Sequence, residues 1–355
     1  MTAGETPRNG ETSRPAETSR NGETVHNIAV VGCGNVSAMH FDGFRAHPER
    51  VRVVAACDPV PERRAWAERE YGVPKTFASV EDLLGDASAS DWDVAVVCTP
   101  SEVREPAVAA LAGAGKHILV EKPLADTYAN AARLVELCER SGVLLAVDQN
   151  FRDHYAFGIA ARLIADGAVG AVLGIVQRDL MFRQDQGWRL EQPRHALSVM
   201  GVHWFDGFRQ LVSGDATLVT ARTYSSPAID CAGETDAFVQ IDFGPVPVSY
   251  TQSFSSRFAA TDTVVIGERA TLEFGYGTLT RHSADGTKVW TNPYAGPGKP
   301  ESAFRSLSRL LDALGTPRPP SNSGRDNLKT IALLEAAYQS AEQGRAVELT
   351  GGLPA

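Results

Sequence analysis

The first residues along the chain whose types and spacing could do chemistry are Gly32-Cys33-Gly34-Asn35-Val36-Ser37. They follow a short apolar run, residues 27–31, and open a helical stretch over 38–46. A G-x-G turn between strand and helix lets backbone N–H groups approach a pyrophosphate, whose charge the helix N-terminus favours. Gly32, Gly34, Asn35 and Val36 are therefore candidate cofactor contacts. Ser37 stands where the usual fingerprint has a third glycine, and a side chain that small still permits close helix–strand packing. Alone, the G-x-G pair is equally compatible with a plain tight turn. Asp58 adds to it by ending the second apolar run, 51–57, where an acidic side chain accepts hydrogen bonds from an adenosine ribose. Its carboxylate would repel a 2′-phosphate, which favours NAD over NADP. Arg63 and Arg64 lie close enough to keep NADP open, and the competing role for Asp58 is a turn former before Pro59.

The elements that must position these groups alternate regularly. Apolar strands at 27–31, 51–57, 94–98, 118–120 and 144–147 are separated by helical segments at 38–46, 62–71, 106–114 and 128–140. Strands without polar alternation, each followed by a helix, describe an α/β fold: a doubly wound parallel sheet covered on both faces, of Rossmann type. Beyond residue 150 a helix over 159–165 precedes short, partly alternating strands at 172–178, 217–223, 237–243, 246–254, 263–267 and 270–274. These suit an α+β domain with an open, mainly antiparallel sheet. A helix over 203–211 interrupts the strands, and the helical 327–343, apolar on one face, is expected to pack back on the first domain. The expected division is 1–26 a disordered tail of four imperfect hexads, 27–149 the cofactor domain, 150–324 a substrate and oligomerisation domain, and 325–348 the returning helix.

Composition narrows the classes further. A net charge of −9 without a Lys/Arg stripe excludes nucleic acid and anionic membrane surfaces as partners. No apolar stretch is long enough to span a bilayer and the N-terminus lacks a secretory core, so the expected location is cytoplasmic. Five scattered cysteines without a C-x-x-C pair suggest buried small hydrophobes, with no disulfide framework and no metal.

Three further segments occur in order at fitting distances: Val97-Cys98-Thr99-Pro100, Val120-Glu121-Lys122-Pro123 and Gly201-Val202-His203-Trp204-Phe205-Asp206. With the glycine turn, they make the chain resemble the Gfo/Idh/MocA oxidoreductase family, which includes glucose–fructose oxidoreductase and inositol dehydrogenases, from residue 27 to 348. The resemblance implies that Thr99 and Pro100 line the nicotinamide side of the cleft, with His40 near the phosphate-binding helix. It implies cofactor contacts from Glu121, Lys122 and Asn150, with Gln149 and Arg152 bordering the active site. Lys122 would hydrogen-bond both cofactor and substrate hydroxyl, and His203 would face the nicotinamide. It further implies a homodimer or homotetramer paired through the antiparallel sheet. Two departures stand out. Val199 replaces the aspartate that normally precedes the histidine by four residues, and a valine can neither bind a hydroxyl nor orient an imidazole. Arg104 stands where many relatives carry histidine.

The chemistry this implies is hydride exchange between nicotinamide and a hydroxyl or keto carbon of a sugar, cyclitol or related polyol. Such a step needs proton transfer at the oxygen and alignment of the two carbons. Lys122 is the first candidate for the oxygen, the alternative being a salt bridge with Glu121 or a cofactor clamp. His203 is the candidate second acid/base, against a satisfied structural histidine. Asp206 is a candidate to support His203 or bind a hydroxyl, against a capping or packing role, and His195, Tyr155 and Asp179 could stand in for the missing aspartate. Trp188 and Arg189, in a polar loop over 183–194, suit a sugar ring or a carboxylated substrate. Tyr155, Arg152 and Asp206 complete the expected substrate set. Two other functions fit the same framework: an NAD-binding regulator that lost catalysis, suggested by Val199, and a lyase or glycosidase that recycles its NAD.

Overall fold

A computed structural model describes residues 24–87, 91–293 and 298–354. Of the tail expected over 1–26, only residues 24–26 fall within that range. The first domain carries β1 (His26–Val31), α1 (Ser37–Ala46), β2 (Val51–Cys57), α2 (Pro61–Tyr71), β3 (Thr76–Phe77), α3 (Val80–Gly85), β4 (Val94–Val97), α4 (Arg104–Gly113), β5 (His117–Val120), α5 (Tyr128–Arg140) and β6 (Leu145–Val147). The strands lie in the order β3-β2-β1-β4-β5-β6, all parallel. Neighbouring residues of a strand face opposite sides, and both sides are apolar here. Ile28, Val30, Val94, Val96 and Leu119 join one core, whereas Ala29, Val31, Ala95, Val97, Ile118 and Val120 join the other. The winding reverses between β1 and β4, so the carboxyl edge of these strands opens the crevice where such sheets bind ligands.

The second domain contains α6 (Tyr155–Ala165), β7 (Val172–Phe182), α7 (Val202–Leu211), β8 (Leu218–Tyr224), β9 (Asp236–Phe243), β10 (Val246–Ser253), β11 (Ser255–Gly267), β12 (Ala270–Phe274), β13 (Thr278–Ser283) and β14 (Gly286–Thr291). After α8 (Lys299–Ala313) and α9 (Gly324–Gln343), β15 (Val347–Thr350) and β16 (Leu353–Pro354) complete a sheet ordered β14-β13-β12-β11-β7-β10-β9-β8-β15-β16. β7 and β10 run parallel, and the other described pairings are antiparallel. One face is core, with Ile175, Val239, Val248 and Val265 buried, and the other is open, with Val176 and Phe238 exposed. The expected combination of Rossmann sheet and open, mainly antiparallel sheet is what the chain forms.

Two helices depart from the sequence reading. The sequence reading places no element over 299–313 and assigns that stretch to the second domain, yet α8 packs on α1 of the first. Phe304, Leu307, Leu310 and Leu311 share a core with Phe41 and Phe44, and Gly43 lets the helices touch, since a Cβ there would lie 2.4 Å from the Pro300 carbonyl oxygen. The returning helix α9 is not apolar on one face alone. Leu328, Ile331, Ala332, Leu334, Ala336 and Tyr338 are all buried, because α9 lies between α5 of the first domain and α7 and β8 of the second.

Candidate active site

The glycine turn has the geometry that pyrophosphate recognition requires. Gly32 adopts φ 93°, and a Cβ on it would lie 3.1 Å from the Cys98 carbonyl carbon, so only glycine fits between β1 and the end of β4. Gly34 differs in that a Cβ would meet nothing within 4 Å. Its backbone borders open space at the head of α1, with the exposed Asn35 and half-buried Val36 beside it. The Ser37 hydroxyl donates to the Gly34 carbonyl oxygen at 2.7 Å, so the serine in the third glycine position closes the turn. Asp58 is fixed by two backbone donors, Cys33 N–H at 2.8 Å and Val60 N–H at 2.9 Å. Arg63 approaches its carboxylate to 3.7 Å, while Arg64 donates to the Asp58 carbonyl oxygen at 2.7 Å.

Further along the same carboxyl edge, the ends of β4, β5 and β6 supply the reactive half of the site. Arg104, which stands where many relatives carry histidine, is fully buried there. It donates to the carbonyl oxygens of Thr99 at 2.6 Å, Leu124 at 3.1 Å and Pro123, tying the Thr-Pro and Glu-Lys-Pro turns together. Burial lowers its guanidinium to about 10, which leaves it charged. Thr99 Oγ1, Asn150 Oδ1 and both ends of the Gln149 amide are buried without a partner among the described residues. Hydrogen-bonding groups left open at a strand edge, next to a glycine cradle facing empty space, fit the nicotinamide half of a dinucleotide. Asn150 Nδ2 donates to Met39 Sδ at 3.6 Å.

Glu121, expected among the cofactor contacts, has both carboxylate oxygens engaged within the protein. Its Oε1 accepts from His40 Nε2 at 2.7 Å and its Oε2 from the Lys122 backbone N–H at 3.1 Å. His40, on the helix α1 that follows the glycine turn, is thus the buried partner of Glu121, whose carboxylate favours the charged imidazole against the opposing effect of burial.

The Lys122 ammonium donates to the Val199 carbonyl oxygen at 2.7 Å. Val199 lies in a π-helical turn, Leu197–Gly201, that runs directly into α7. His203 is one turn further on, so Lys122 and His203 meet on the same helix end. Burial brings Lys122 down to about 8, with Arg189 and Arg183 pushing the same way against Glu121. Burial, then the Lys122 charge, hold His203 well below its ordinary value, so the imidazole is neutral at pH 7. Its ring stacks on Phe151 at 4.0 Å and 10°, and Phe151 also meets His154 at 4.3 Å.

The three stand-ins for the missing aspartate are engaged elsewhere. His195 Nε2 donates to Asp185 Oδ2 at 2.9 Å. Asp179 accepts from Trp204 Nε1 at 3.1 Å and Thr261 Oγ1 at 2.8 Å. Tyr155 opens α6 and packs against the main core. The acceptor at the aspartate's position is the backbone of Val199 itself.

Arg152 and Asp206, expected to bind substrate, instead bind each other. Arg152 Nε and Nη2 donate to the two Asp206 oxygens at 2.6 Å each, and Nη2 also reaches Asp326 at 2.8 Å. Arg209 joins through Asp326 at 2.6 Å. A carboxylate already holding a bidentate arginine has little left for a hydroxyl, so this is a clamp among the first domain's exit, α7 and α9. At the rim, Trp188 is exposed and Arg189 lies over its ring at 4.7 Å, in a 3-10 turn, Gly187–Glu191, within the expected loop.

The fold and this cleft define the class, a dinucleotide-binding oxidoreductase, and comparison with known proteins defines the family. Residues 26–149 match the oxidoreductase family with NAD-binding Rossmann fold, and residues 157–273 match the GFO/IDH/MocA C-terminal domain. The chain belongs to the Gfo/Idh/MocA family of NAD(P)-dependent sugar and cyclitol dehydrogenases. It is 32% identical to the D-apiose dehydrogenase of Paraburkholderia graminis, over 90% of this chain and 89% of that one. It is 28% identical to the 1,5-anhydro-D-fructose reductase of Ensifer adhaerens, over 85% and 92%. An oxidoreductase from Agrobacterium radiobacter, solved with NAD+, L-tartaric acid and magnesium, shares the fold with a TM-score of 0.83 at 23% identity, covering 91% of this chain and 98% of that one.

Proposed function

We propose that the chain moves a hydride between NAD and a hydroxyl or keto carbon of a sugar, cyclitol or related polyol, with Lys122 and His203 as its acid/base groups. The observation that carries this is the 2.7 Å bond from Lys122 Nζ to the Val199 carbonyl, one turn before His203. With its pyrophosphate on the glycine cradle and its nicotinamide ring beside Thr99, Gln149 and Asn150, NAD would supply the hydride acceptor or donor. In oxidation, the substrate carbon gives up its hydrogen with the electron pair, and its hydroxyl proton goes to the neutral Lys122 amine. In reduction, the Lys122 ammonium gives that proton to the carbonyl oxygen. Burial, by lowering Lys122 to about 8, keeps both forms accessible near neutral pH. His203, held neutral, accepts or donates one hydrogen bond at a neighbouring hydroxyl. Trp188 and Arg189 offer a ring face and a fork at the rim. The regulator reading loses its motive, because the Val199 carbonyl gives Lys122 the acceptor that the side chain lacks.

The same reading includes NAD over NADP through Asp58, a cytoplasmic location and pairing of subunits through the open sheet face. Val176, Phe238 and Ile266 on that face support the last point. No helix among the described residues is long and apolar enough to cross a membrane. The decisive experiment mixes purified protein with NAD+ and aldoses, cyclic polyols and anhydro sugars, and with NADH and keto-sugars, while following NADH absorbance. Turnover of at least one class is expected. No turnover in either direction, with cofactor binding intact, would refute the proposal.

A further inference from the structure

One buried acid at the carboxyl edge has no part in the reaction above. Asp148 ends β6, and its backbone N–H bonds the Val120 carbonyl oxygen at 2.8 Å, which places it beside the Glu121 turn. It is 1% exposed, and neither carboxyl oxygen meets a hydrogen-bond partner among the described residues. The titratable and polar groups facing it come from four directions: His40 on α1, Cys98 after β4, Glu121 and Lys122 after β5, and Ser306 on α8. Acidic and imidazole atoms of His40, Glu121 and Asp148 lie within 4.8 Å of one another. His40 Nε2 is 2.7 Å from Glu121 and 3.7 Å from Asp148.

One imidazolium therefore stands against two carboxyl groups, and it is committed to Glu121. If Asp148 were ionised as well, a second carboxylate would be buried beside the first, facing the neutral Ser306 hydroxyl rather than a cation of its own. Desolvation and like-charge repulsion both oppose that state, and a proton on Asp148 relieves both. A positive ring arriving at the same strand edge reverses the balance, since it attracts the carboxylate form.

We infer that Asp148 is a neutral carboxylic acid in the free protein at neutral pH, and that seating the cationic nicotinamide of NAD+ at this edge ionises it. The proton leaves to solvent, so binding NAD+ expels a proton that binding NADH, whose ring is neutral, does not. The direction of its titration agrees: burial, then Glu121, raise Asp148 to about 8 against the pull of His40 and the Ser306 hydroxyl. Below that value, each unit of pH lost should weaken NAD+ relative to NADH by up to roughly tenfold, the limit for one linked proton. Lys122, lowered to about 8, has the same sign and must be separated from it.

The inference rests on NAD binding in this cleft and is independent of the substrate. Isothermal titration of the full chain with NAD+ and with NADH, in buffers of different ionisation enthalpy, counts protons released. Release with NAD+ alone is expected, reduced in Asp148→Asn and still present in Lys122→Met. Equal release by Asp148→Asn and the parent chain, both binding NAD+, overturns the inference. Absence of any cofactor heat would instead strike at the cofactor site itself. As a check free of substitutions, infrared spectra with 13C-labelled aspartate should show the stretching band of a protonated carboxyl in the free protein that disappears with NAD+. A free protein without that band also overturns it.

Discussion

Asp206→Ala separates a structural clamp from a substrate contact. Asp206 is 1% exposed and accepts two 2.6 Å bonds from Arg152 and one of 3.0 Å from Thr330. Removing one partner of a buried ion pair leaves the other charge uncompensated, at roughly 3–5 kcal/mol. Arg152 keeps Asp326 at 2.8 Å and the Ser321 carbonyl oxygen at 2.9 Å, which places the loss near the lower end, about 3 kcal/mol. Replacing both members, as Arg152→Met with Asp206→Leu, removes the stranded charge and should destabilise less than Asp206→Ala alone. Urea unfolding followed by tryptophan fluorescence gives both numbers. One of the sequence readings of Asp206 is a contact to a substrate hydroxyl. On that reading, Asp206→Asn would raise KM and leave the unfolding midpoint unchanged. A loss below about 1 kcal/mol for Asp206→Ala, or a double variant weaker than the single, refutes the clamp.

Three more outcomes follow from the cleft. Lys122→Met should lower turnover by roughly 10²–10⁴-fold, the range for a lost general acid/base, with cofactor binding retained in fluorescence titrations. With the lysine in place, kcat/KM for oxidation should rise with pH through about 8, because the amine must be neutral to accept the proton, and that limb should vanish in Lys122→Met. Gly34→Ala should fold normally, since a Cβ there meets nothing within 4 Å, yet bind NAD poorly. Gly32→Ala should also lose stability, by about 1–3 kcal/mol, from its φ of 93° and the 3.1 Å contact. A Gly34→Ala protein that binds NAD normally would displace the pyrophosphate from this turn. Asp58→Ser should raise the NADP-to-NAD ratio of kcat/KM by about tenfold or more, equivalent to about 1.4 kcal/mol. An unchanged ratio removes Asp58 from cofactor choice.

The fold was largely legible because burial writes itself into strands. Runs such as Val94–Val97 are apolar without alternation, and a strand of that kind belongs inside a parallel sheet. Alternation of Val239, Ile241 and Phe243 with Gln240 and Asp242 likewise announces a sheet with one open face. Which helix covers which domain is not local information. The spacing of Phe304, Leu307, Leu310 and Leu311 is helical, but only the contact at Gly43 and Pro300 reveals that α8 returns to α1. Asp148 carries a signal in sequence, a charged residue directly ending an apolar strand, next to Gln149 and Asn150. Arg104 carries only its departure from the family's histidine, since an arginine in a helix is ordinarily a surface residue, and its burial follows from three carbonyls converging on it.

Val199 shows where a side-chain alphabet misleads. Read by side chain, the position has lost the group that meets Lys122, and the inference toward a silent regulator follows. Sequence carries no record of which backbone carbonyl will be free, because every residue has one. In an unbroken α-helix each interior carbonyl is taken by an N–H four residues on, whereas a π-helical turn shifts that partner to the fifth. The turn Leu197–Gly201, ahead of α7, is such a break in the repeat, and the Val199 carbonyl within it receives the ammonium at 2.7 Å. An uncharged acceptor has a further consequence. An aspartate here would stabilise the ammonium, whereas a carbonyl dipole does so less, so burial is opposed mainly by Glu121 and Lys122 can settle near 8. Val199→Asp should therefore raise the pH midpoint of oxidation above that of the parent chain. A midpoint that stays or falls would mean that Lys122 does not report on the group at this position, and the exchange of side chain for backbone would lose its meaning.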